Sequence, residues 1–66
     1  MTKEETLAFL AENGGIDIDC ARMQYPCMQG VYSTFEDFVA DRVYGICRDM
    51  SVAREVARIL IEESED

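Results

Sequence analysis

The chain has no histidine and a single lysine. Covalent catalysis needs a nucleophile beside a base, and neither an imidazole nor a well-placed amine is on offer, because Lys3 lies at the start of the chain. Cysteine is sparse and irregular: Cys20, Cys27 and Cys47 form no C-x-x-C pair, and their spacings match no common zinc arrangement. No metal and no cofactor are expected, and without the C-x-x-C arrangement nothing marks Cys20 and Cys27 as a redox pair. The three are expected to be reduced and to serve as small buried hydrophobes. An odd cysteine count, with Met1 followed by the polar run TKEET rather than a basic and then apolar stretch, leads to an expected cytoplasmic location.

Other absences narrow the field further. No run approaches the roughly 20 apolar residues that a membrane span requires. The glycines of Asn13-Gly14-Gly15 are too few for a phosphate loop and no lysine follows them. Asp17 and Asp19 have the D-x-D start of a calcium-binding loop, but Ala21 and Met28 stand where its fifth and twelfth positions need oxygen ligands. Carboxylates are plentiful, yet a glycosidase-type pair needs a deep cleft that 66 residues can hardly wall. The expectation is a protein that is not an enzyme.

What is present reads as helix. A chain of 66 residues is a single domain whose core supplies no more than about 3–5 kcal/mol, so helix packing or a second subunit must do what disulfides and metals do elsewhere. Thr2 and Glu5 have capping-box spacing, with Leu7, Leu10 and Ala11 on one face, Phe9 at its margin, and Asn13, Gly14 and Gly15 as the stop. Residues 16 to 32 look irregular. Asp19 is expected to cap a short turn that ends before Pro26, since the residue before proline is pushed out of the helical region.

Two further helices follow. Ser33 and Glu36 form the next capping-box pattern, ahead of apolar residues at 35, 38, 39, 43 and 46. Ser51 is expected to cap the last helix, in which Val52, Val56, Ile59 and Leu60 form the buried face, Ala53 and Ala57 permit close approach, and Ile61 points outward. Residues 62–66, with four acids at a helix C-terminus, are expected to fray. The predicted fold is all-α: a compact bundle of three main helices around an irregular central loop.

The net charge of −8 is unevenly placed. Residues 1–19 and 62–66 each carry −4, whereas residues 20–61 hold five acids balanced by Arg22, Arg42, Arg48, Arg54 and Arg58. Direct binding to nucleic acid or to an acidic membrane surface is disfavoured, because both need a basic stripe. Three readings of the acids remain. They imitate phosphate for a basic partner, or they solubilise a chain whose apolar, arginine-containing centre makes the contact, or Glu36, Asp37 and Asp41 are simply the solvated face of helix 33–48, with Asp37 or Asp41 paired to Arg42 or Arg48.

The candidate partner-binding residues are Glu36, Asp37 and Asp41 for a basic protein surface, with Tyr25, Met28 and Tyr32 as apolar contacts. The stretch MQYPCMQGVY, residues 23–32, has the methionine and tyrosine composition of an interface. In its size, its terminal acids TKEE and EESED and its capped acidic segment STFEDFVADRV, the chain resembles the short acidic proteins that phages and other mobile elements use against host machinery, the anti-CRISPR and antirestriction inhibitors. The resemblance is one of overall type and transfers no residue roles. It implies an inhibitor that binds and blocks a host nucleic-acid-handling or defence protein in the host cytoplasm. The alternative is a self-associating adaptor, an antitoxin-like homodimer in which helix 51–63 packs against its twin.

Overall fold

A computed structural model describes residues 1–65, whose regular secondary structure is entirely helical, with no strand among them. Four α-helices follow in order: α1 (Lys3–Glu12), α2 (Ile18–Gln24), α3 (Phe35–Cys47) and α4 (Met50–Ser64), with a 3₁₀ turn at Tyr25–Met28. The middle of the chain is thus more regular than the three-helix expectation.

The Thr2 and Glu5 capping box forms as read: the Glu5 amide donates to Thr2 Oγ1 at 3.1 Å and the Thr2 amide to Glu5 Oε1 at 2.9 Å. Leu10 is buried and Leu7 half-buried, but Ala11 is exposed, and the fully buried residue of α1 is Thr6. A hydroxyl tolerates that position because Thr6 Oγ1 donates to the Thr2 carbonyl at 2.8 Å. Gly14 and Gly15 then take φ of 85° and 69°, a left-handed pair that turns the chain toward α2 with no Cβ penalty.

Every later cap falls one or two residues from its sequence-based position. Asp17, not Asp19, caps α2 by accepting from the Cys20 amide at 3.1 Å. With the helix begun at Ile18, Ile18 and Ala21 share the buried face. Thr34, not Ser33, caps α3 by accepting from the Asp37 amide at 3.1 Å, while Ser33 Oγ donates to the Asp37 carboxylate. Asp49, not Ser51, caps α4, accepting from the amides of Ser51 and Val52 at 3.0 and 3.4 Å.

Only Arg48 and Asp49 separate α3 from α4, so the pair is a tight hairpin with the largest helix–helix contact in the fold. Arg48 makes the reversal at φ 59° and donates its amide to the Tyr44 carbonyl at 2.9 Å. Replacing Asp49 by alanine should lower stability by about 1 kcal/mol, whereas Ser51→Ala should leave it nearly unchanged. Chemical denaturation of the two variants checks the register of the cap.

The core joins Leu10, Ile18 and Ala21 to Phe38, Val39, Ala40, Val43 and Cys47 of α3 and to Ala53, Val56 and Ala57 of α4. Cys47 is buried as expected and donates its thiol to the Asp49 carbonyl at 3.3 Å. Cys20 and Cys27 are exposed free thiols, contrary to the buried reading, because one lies on the outer side of α2 and the other in the 3₁₀ turn. Ile61 is half-buried against the core rather than outward, since α4 stays helical through Ser64. Of the segment expected to fray, Asp66 lies outside the described residues. Arg22 meets the end of α4, 3.6 Å from Glu65 and 3.4 Å from Ser64 Oγ.

Candidate functional site

The residues singled out for partner binding lie on the 3₁₀ turn, the loop after it and the first half of α3. An aromatic cluster holds this corner. The Tyr25 ring meets Phe35 edge-on at 5.6 Å, and Tyr32 meets Phe38 edge-on at 5.3 Å, distances at which aromatic pairs attract. Arg22 lies over Phe35 and Arg42 over Phe38, at 5.0 and 5.1 Å from the ring centroids.

Hydrogen bonds fix the loop on this platform. Tyr25 Oη donates to the Tyr32 carbonyl at 3.3 Å, and the Met28 carbonyl accepts from the amides of Val31 and Tyr32. Tyr32 Oη donates to Asp41 Oδ2 at 2.7 Å, tying the loop to α3. Tyr25, Met28, Tyr32 and Asp41 thus share one corner.

Glu36 and Asp37 serve the helix hairpin. Asp37 Oδ1 accepts from Arg54 at 2.7 Å and Glu36 Oε1 from Arg58 at 3.1 Å, both across from α3 to α4. Sequence spacing points to Arg42 or Arg48 as the partner of Asp37 or Asp41. Arg42 instead donates to Gln24 Oε1 at 2.9 Å. The tight hairpin explains the change: an antiparallel neighbour brings the beginning of α3 beside the middle of α4.

Two residues of the 23–32 stretch that were not singled out are its most exposed large apolar side chains. Met23 is 80% exposed and Val31 71%. Met23 falls off the Ile18 and Ala21 face, a signal that could be read only with the start of α2 correctly placed.

Three carboxylates are held below their ordinary range. Asp37 is lowered by the Ser33 hydroxyl and then by the Arg54 guanidinium, Asp17 by the Cys20 amide, and Glu5 by the Thr2 amide. Two acids are raised: Tyr32 by its hydrogen bond to Asp41, and Cys20 by Asp17. A lowered carboxylate stabilises the fold above its unfolded pKa and loses that contribution as pH falls through the folded value. For the phenol and thiol the neutral form is favoured, so their contribution is complete at neutral pH and lost as pH rises through their raised values. Melting midpoints should therefore be flat between about pH 5 and pH 8, with decline on either side. Asp37→Asn should shallow the acid limb in melts followed by circular dichroism.

Comparison with known protein families, curated proteins and solved structures finds no match. No helix among the described residues is long and apolar enough to cross a membrane.

Proposed function

We propose that this protein is a non-enzymatic interaction module, an inhibitor of the phage type that binds and blocks a host nucleic-acid-handling or defence protein in the host cytoplasm. The observation that carries the reading is the exposure of Met23 and Val31 on a segment pinned by aromatic contacts and backbone hydrogen bonds. An apolar contact surface that is already ordered loses little conformational entropy on binding. Asp41 and Tyr32 supply a polar edge to it.

The partner contact is centred on apolar side chains, with the acids at its margin. Glu36 and Asp37 already face arginines of the same chain, so a phosphate-imitating role would require a partner to compete with Arg54 and Arg58. The homodimer through α4 is the weaker reading, because Ala53, Val56 and Ala57 are buried within the chain and Leu60 and Ile61 pack on its core.

The test is capture from a phage-infected bacterial lysate by tagged protein, at low and high salt, with wild type beside Met23→Asp/Val31→Asp. One nucleic-acid-binding protein should be retained by wild type and weakened at least about 30-fold by the double variant, the effect of losing a central apolar contact. Capture of the bait alone, or equal capture by the variant, would sink the reading. Both positions are exposed, and the variant's melt checks that it folds.

A further inference from the structure

Asp17 and Asp19, from the acidic first part of the sequence, stand near Glu63 of the acidic last part, beside apolar surface. Where α1 ends and α4 ends, Leu7, Leu10, Ile16 and Leu60 line a trough of about 450 Å³. A second depression of about 370 Å³ continues from it past Ile16 and Leu60 toward the start of α2. Asp17, Asp19 and Glu63 stand along these walls, and among the described residues no lysine or arginine lines either depression. Arg22 touches the edge at Ser64 but lies beside Glu65.

We propose that this trough docks a short helical segment of a partner protein in which apolar residues at helical spacing are flanked by lysine or arginine. The floor offers apolar contact in an open channel rather than an enclosed pocket, which suits a helix laid in a groove better than a small molecule that must be surrounded. The carboxylates along the walls select the sign of the occupant's charge. A second copy of this chain is a poor occupant: the net charge of −8 is self-repelling. Its own segment of the required type is α4, whose Arg54 and Arg58 are paired to Asp37 and Glu36 and whose apolar face is buried.

The trough shares no residue with the Met23–Tyr32 contact segment, so it is a second surface. It rests on the interaction-module reading but not on the identity of the partner, and the two tests fail separately. Isotope-labelled protein is titrated with a short amidated helical peptide of leucine and lysine, and with a peptide of equal charge in which serine replaces leucine. Amide shifts should centre on Leu7, Ile16, Leu60 and Glu63 for the leucine peptide alone. Glu63→Arg should weaken that binding at least about tenfold, while the same reversal at exposed Glu55 on α4 should change it by less than about twofold.

Equal binding of the serine peptide, shifts centred on residues 23–32, equal effects of the two reversals, or no binding would each overturn the proposal. Glu63 is exposed near the C-terminus of α4, where a cation suits the helix dipole, so the variant keeps its fold.

Discussion

Replacing Phe38 by alanine is expected to leave no cooperatively folded protein at room temperature. The side chain is 3% exposed, and its ring meets Tyr32, Tyr25 and Phe35 at 5.3, 6.0 and 6.4 Å, with Arg42 over its face. Truncating a buried phenylalanine costs about 3–5 kcal/mol, from lost transfer energy and the cavity left behind. A domain of this size has about that much stability in total. One substitution therefore removes most of the margin. Phe38→Leu keeps a large apolar side chain and should melt cooperatively at a lower midpoint. If Phe38→Ala melted within a few degrees of wild type, the aromatic cluster would not organise the fold, and the pinned segment 23–32 would lose its support.

The second large effect is expected from adding volume. Ala53 and Ala57 are fully buried one turn apart on α4, whose main contact is with α3. Their small side chains set how closely the helices approach, because ridges and grooves must interlock at the contact. Ala57→Leu inserts three extra carbons where no space remains and should cost about 1–3 kcal/mol. In a chain of this length that lowers the melting midpoint by roughly 5–20 °C. Ala8→Leu, the same change at an exposed helical position, should stay within about 0.5 kcal/mol. Equal midpoints for the two variants would mean that the hairpin can spread to admit the larger side chain.

These two variants also bear on function in opposite ways. Phe38 supports the proposed contact segment through its ring contacts with Tyr25 and Tyr32. Ala57 lies outside that segment and outside the acidic trough. A mild substitution at Phe38 that keeps the fold but weakens partner capture would tie binding to the aromatic platform, whereas folded variants at Ala57 should bind as wild type does.

The sequence by itself determined the helical class, the capping box of α1, the stop at Gly14 and Gly15 and the small-residue face of α4. Each of these depends on residues within about one turn of one another, through hydrogen bonds and side-chain spacing that need no distant partner. The neutral centre of the charge pattern is likewise plain from residue identities alone. Between neighbouring cap formers such as Ser33 and Thr34, or Asp49 and Ser51, local spacing could not choose. Packing chose the register that buries Ile18 with Ala21 and closes the α3–α4 hairpin in two residues.

Tertiary structure alone decided what the charges do. The arginines that face Glu36 and Asp37 are 22 and 17 residues away in the chain, beyond the reach of any helical repeat. Asp17 and Asp19 come beside Glu63, more than 40 residues on, because α2 begins beside the end of α4. Charge acts through space, so its meaning is set only when the helices have chosen their neighbours.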